Sequence, residues 1–310
     1  MTATLPDGTP PTTTREKADP TMTTSTSPDT TTAHTASSAH RHRATTAPAY
    51  RITLARVIRA EWIKLRTLRS TWAMLTAVLL TIVGIGAIAA ASATGAVEGP
   101  RDGGGPGGGD PLSTVLSGSM LAVVLVGVLG VLFGAREYSS GLIRSYLAAV
   151  PARLPVLGAK VVAFLLAVVP VVLAGVFVAF AVGMAVLDAG GVATVSWSDP
   201  GTARVVLGTA GYVVGMGLIG LALGVLLRST AGAISALLAG ILVLPTLAGA
   251  LLPEAWDGLL KYLPSNAASA FTSTVPTESL LGAGTGVLVF AGWIVVAVAG
   301  AAVALSRRDA

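Results

Sequence analysis

The chain contains no cysteine. Disulfides, iron–sulfur clusters and thiolate zinc sites are therefore excluded. Charge is the next scarcity. Asp, Glu, Lys and Arg make up 11% of the 310 residues, against about 25% in soluble domains. So little charge cannot cover a water-soluble surface, and mean hydropathy is +0.77. Only three histidines occur (His34, His40, His42), all near the N-terminus. The AHRHR stretch there can hold a metal weakly, but it reads first as part of a solvated tail. No HExxH, no GxxxxGKS-type phosphate loop and no nucleophile–base pairing is present. The composition calls for an all-α integral membrane protein with no catalytic, cofactor or metal site of its own.

Residues 1–49 are rich in Thr, Ser, Pro and Ala. They hold too few apolar side chains to offset the entropy of ordering, so a disordered tail is expected. No apolar h-region follows Met1, so the tail is not read as a signal peptide.

Residues 50–71 change character. Leu54, Ile58, Trp62, Leu65 and Leu68 recur at helical spacing. Arg56, Arg59, Lys64, Arg66 and Arg69 occupy much of the remainder. A basic amphipathic helix carrying a tryptophan suits the headgroup layer of a bilayer. The same pattern binds nucleic acid elsewhere, but an apolar run begins at once, which points to the lipid surface.

Six apolar runs follow, at about 72–94, 112–135, 161–187, 205–227, 233–252 and 282–305. Each reaches or exceeds the roughly 20 residues that cross a bilayer. Lipid offers the backbone no hydrogen-bond partners, so each run is expected to be helical. Pro170 and Pro245 are expected to kink the third and fifth. None of the runs contains Asp, Glu, Lys, Arg or His. Such groups mark proton and ion relays at membrane depth, so a secondary transporter and an intramembrane enzyme are both disfavoured. The pairs Gly130/Gly134, Gly211/Gly215 and Gly220/Gly224 carry the spacing that permits close helix approach.

The net charge of +5 would suggest nucleic acid in a soluble chain. Here thirteen flanking Lys and Arg gather on one side (six from Arg51 to Arg69, then Arg136, Arg144, Arg153, Lys160, Arg228, Arg307 and Arg308). The other side has three (Arg101, Arg204 and Lys261). The positive-inside rule then places both termini in the cytoplasm. On the opposite side Gly99–Pro111 reads as a flexible linker. Residues 253–281 read as a segment that either dips into the outer leaflet or lies on it.

The stretch from Arg136 to Lys160 is the one long polar segment on the basic side. Leu142, Ile143, Tyr146, Leu147 and Val150 fall near helical spacing, and Pro151 and Pro155 are expected to end that helix. It reads either as a surface helix that receives a push from a partner or as a loop that only sets topology.

Three segments resemble the type-2 ABC exporter permeases, in particular actinobacterial ones. AEWIKLRTLRS is similar to that family's interfacial helix, and YLPSNAASAF to its outer re-entrant region. REYSSGLIRSYLAAVPARLPVLGAK is similar to its signature after the second span, through Glu137, Gly141, Arg144, Pro151, Arg153 and Lys160. The resemblance covers about residues 50–308 and leaves out the tail. It implies a six-helix permease subunit in a bacterial plasma membrane, paired with a second permease as homodimer or heterodimer. Two cytoplasmic ATPase subunits would supply the energy, and nucleic acid would not be a partner. Glu137–Val150 would be the coupling helix, with Glu137 and Arg144 as polar contacts and Gly141 permitting close approach. Tyr146 would belong to the same element, and Arg153 and Lys160 would enforce topology. The cargo would be lipophilic or amphipathic. The alternative class is a non-transporting membrane scaffold or immunity-type anchor.

Overall fold

The computed structural model describes residues 53–97, 109–139, 153–251, 257–274 and 281–307. The tail and most of the Gly99–Pro111 linker lie outside these residues. Every described element is helical: α1 (Leu54–Thr67), α2 (Arg69–Ala93), α3 (Pro111–Val115), α4 (Ser119–Ser139), α5 (Arg153–Ala189) and α6 (Thr202–Leu227) come first. They are followed by α7 (Thr230–Leu238), a π-helical segment (Ala239–Val243), α8 (Leu244–Leu251), α9 (Asp257–Leu260), α10 (Pro264–Thr272) and α11 (Ala283–Arg307). Among the described residues, six stretches are long and apolar enough to cross a membrane, the fifth being the composite that starts at Thr230.

α4 and α6 form the most extensive helix pair. Association between helices in lipid gains little from the hydrophobic effect and depends on close packing. Glycine supplies that here. A Cβ on Gly130 would strike the carbonyl of Gly217, and one on Gly134 the carbonyl of Leu221. From the other side, Gly220 faces the backbone of Gly127, and Gly224 lies 2.6 Å (at its would-be Cβ) from the Val131 carbonyl. The Gly130/Gly134 and Gly220/Gly224 pairs are thus helix contacts. Gly211 has open space around it, and Gly215 packs instead on Phe290 of α11.

The apolar run expected at 112–135 is two helices. Asp110 caps α3 by accepting from the Ser113 N–H at 2.8 Å, with Pro111 in the first turn, where its missing N–H costs nothing. The chain then turns at Leu116–Gly118 and α4 begins at Ser119. Gly118 lies against the carbonyls of Thr81 and Ile82, which leaves no room for a side chain. Val115 is fully buried between Gly86 of α2 and Gly183 of α5.

The two prolines behave differently. α5 runs as helix on both sides of Pro170. Pro245 is the second residue after the π segment. Its ring would crowd the carbonyl of Ile241, four residues back, and the wider π turn spans that residue. Pro155 lies in the first turn of α5. It therefore sits inside a helix start, where orphan N–H groups have no partner in any case; the helix that Pro151 and Pro155 are expected to end lies outside the described residues.

Residues 257–272 double back. α10 lodges between α6 and α11, where Gly208 faces the Phe271 carbonyl and Gly286 the Ala267 carbonyl. The Trp293 indole donates to the Tyr262 carbonyl at 2.8 Å. Trp293 is ten residues beyond Ala283, or about 15 Å along the helix axis. The chain therefore enters the bundle before α10 climbs out again. Arg204 Nη1 donates to the Ala270 carbonyl at 3.2 Å and fixes the upper end.

Candidate functional site: the basic end

α1 ends because Leu68 adopts extended backbone angles. The Trp72 indole reaches back across this elbow and donates to the orphan Arg66 carbonyl at 2.9 Å. α1 is thereby held at an angle to α2.

The face of α1 that packs on protein is distinct from the apolar stripe expected at the bilayer surface. Val57, Glu61 and Leu65 are buried, at i, i+4 and i+8. Leu54 is exposed, and Ile58, Trp62 and Leu68 are half-buried. Of the expected face only Leu65 is buried. In water the apolar stripe must turn inward; beside a bilayer it can face lipid while a mixed stripe faces protein. Arg56, Arg59, Arg66 and Arg69 are exposed and Lys64 is half-buried.

Glu61 is fully buried. Its Oε1 accepts from Lys64 Nζ at 2.7 Å and its Oε2 from Lys160 Nζ at 3.3 Å. Lys160 is 5% exposed and belongs to the second turn of α5, not to a loop. Its ammonium lies 4.7 Å from the centroid of the Phe133 ring, on α4. Phe133 stacks in turn on Phe164 at 6.4 Å. Val57 packs with Val156 and Ala159 beside the pair. Lys160 therefore does more than set topology: it joins α1, α4 and α5.

Magnitudes separate the two arms. The Lys64 arm is an i,i+3 contact with a lysine side chain 40% exposed, worth at most ~0.5 kcal/mol. The Lys160 arm is buried, so desolvation offsets much of its attraction, while removing one partner costs about 3–5 kcal/mol. Such a pair contributes little net stability but fixes position strongly. Lys160 lies in the second turn of α5, which leads out of residues 140–152, and its aromatic neighbour Phe133 lies on α4, which leads into them.

Of the site residues expected from sequence, Glu137 lies in the last turn of α4 and Arg153 is the first residue of α5. Gly141, Arg144 and Tyr146 lie outside the described residues, as does the helix expected over 142–150. Glu61 and its partnership with Lys160 were missed. The signal was present in the sequence, as a lone glutamate between Val57 and Leu65 on a helix with four basic residues.

A groove of about 220 Å³ opens beside the pair, lined by Leu65, Leu68, Met74, Leu129, Leu132 and Arg136 among others. No cluster of three or more metal-ligating side chains occurs among the described residues.

Fold and site together define an all-α, multi-pass membrane protein with an angled helix clamped at one end. The chain matches no protein-family model and no curated protein.

Proposed function

We propose that this chain is the membrane-spanning subunit of an ATP-driven exporter of the type-2 ABC permease kind. ATP hydrolysis takes place in a separate cytoplasmic subunit present in two copies, and a second permease completes the translocation path. The membrane is a bacterial plasma membrane, with both termini in the cytoplasm. The cargo is lipophilic or amphipathic.

The observation that carries this reading is the buried Glu61–Lys160 pair. A motor acting at a membrane surface must move the spans without first bending the contact it pushes on. The pair fastens α1 and the start of α5 to each other, and Phe133 brings in the end of α4. A displacement of residues 140–152 is thereby passed to two spans and the interfacial helix as one body. Glu137 and Arg144 supply the polar contact to the ATPase in this reading.

The test is affinity purification of the chain from detergent-solubilised native membranes, comparing wild type with Glu137→Lys. Co-purification of a cytoplasmic ATPase with wild type, reduced in the variant, is the expected result. No ATPase with either, from a folded chain, favours a scaffold and sinks the transport reading.

A further inference from the structure

We propose that a pocket in the half of the membrane away from the basic end binds an uncharged amphipathic molecule whose polar group donates hydrogen bonds. The pocket holds about 270 Å³ and lies between the start of α4, the middle of α6, the π segment and α10. That is close to the lower end of small-molecule sites, ~300–1,000 Å³. Six hydroxyl-bearing residues line it: Ser119, Thr209, Tyr212, Ser265, Ser269 and Thr272. No charged side chain lines it among the described residues. So dense a set of hydroxyls needs a reason in spans built from Ala, Val, Leu and Gly.

Their protons are partly committed already. Ser269 Oγ donates to the Ser265 carbonyl at 3.1 Å, and Thr272 Oγ1 to the Ala268 carbonyl at 3.0 Å. A hydroxyl has one proton and two lone pairs, so both oxygens remain acceptors. The Ser265 hydroxyl oxygen is enclosed and has no hydrogen-bond partner. Apolar surroundings supply none. A ligand with hydroxyl or amide N–H donors satisfies this set. A carboxylate or phosphate is disfavoured, because among the described residues no cationic side chain lines the pocket to offset the cost of burying its charge.

The pocket opens at the side of the helix bundle. Met120 is 76% exposed and Leu242 47% exposed at its margin. The ligand can therefore enter from the bilayer and leave its apolar part there. One wall, Ile241 and Leu242, belongs to the π segment. Such segments are frequent at functional sites, and this one can revert to α-helix only by shifting that wall. As a statement about binding, the inference stands alone. As a statement about cargo, it rests on the export reading.

The test uses the full chain in lipid nanodiscs without any ATPase, so its failure is distinct from failure of the motor reading. The probes are a diazirine-tagged monoacylglycerol and a fatty acid of the same chain length carrying the same tag. Preferential labelling of peptides containing Met120 or Leu242 by the monoacylglycerol is expected. The double variant Ser269→Ala/Thr272→Val should weaken it about tenfold, the worth of two modest hydrogen bonds. Met120→Trp should block it, while Leu288→Trp, at a position 73% exposed on α11, should leave it unchanged. Labelling equal for both probes, or indifferent to Ser269→Ala/Thr272→Val and Met120→Trp, overturns the proposal.

Discussion

Replacing Glu61 by glutamine tests the clamp at its centre. The substitution preserves shape and removes only the charge. It leaves the Lys160 ammonium 5% exposed, with the centroid of the Phe133 ring 4.7 Å away. Breaking a buried pair costs about 3–5 kcal/mol. The aromatic contact is present before and after the change and cancels, while the glutamine carbonyl still accepts from Lys160, so a loss near the lower end, about 3 kcal/mol, is expected. Lys64→Ala should cost no more than ~0.5 kcal/mol, because that arm is half in solvent. Glu61→Leu combined with Lys160→Met should recover most of the loss, since neither charge then remains to be desolvated. The measurement is equilibrium unfolding in mixed micelles titrated with SDS, analysed as a double-mutant cycle. A coupling of about 2 kcal/mol between residues 61 and 160 supports the clamp. Equal small losses for Glu61→Gln and Lys64→Ala, with additive double variants, would refute it.

Other consequences are more local. Gly220→Leu should prevent the α4–α6 approach and abolish the folded monomer on size-exclusion chromatography, because its Cβ meets the Gly127 backbone. Gly211→Ala should be neutral or stabilising by up to ~1 kcal/mol in the same unfolding assay, since nothing approaches that position. Trp293→Phe should cost about 1 kcal/mol and speed amide exchange over Tyr262–Asn266, through loss of the indole hydrogen bond. Because the chain has no cysteine, single cysteines report topology cleanly. Ser198→Cys should react with an impermeant maleimide on intact cells, and Arg66→Cys only after permeabilisation; the reverse pattern would invert the orientation.

The spans were legible because lipid imposes one rule on every residue: an apolar run of sufficient length must be helical. Their ends were less so. The break at Leu116–Gly118 was missed although Ser117 and Gly118 are a turn signal, because the apolar residues on both sides carry the run past it; the close approach of Gly118 to the Thr81 and Ile82 carbonyls is not visible in sequence. The start of α5 at Arg153 was not legible from Pro155, because proline suits a helix start as well as a helix end. The apolar stripe on α1 was recognised, but the side it faces depends on the solvent, and here Glu61 lies on the protein side. Gly217 was passed over because it stands outside the four-residue pairs, although its missing side chain admits Phe164. The hydroxyl pocket was invisible for a different reason. Its residues come from four separated elements, and each is unremarked alone.

The central claim is that residues 140–152 meet a motor. The most direct measurement places a photo-crosslinker on a single cysteine at Arg144→Cys in native membranes, with and without ATP. The account predicts a covalent adduct with a cytoplasmic protein that carries a phosphate-binding loop, in a yield that changes with ATP. Adducts confined to lipid or to a second copy of this chain, unchanged by ATP, would contradict it.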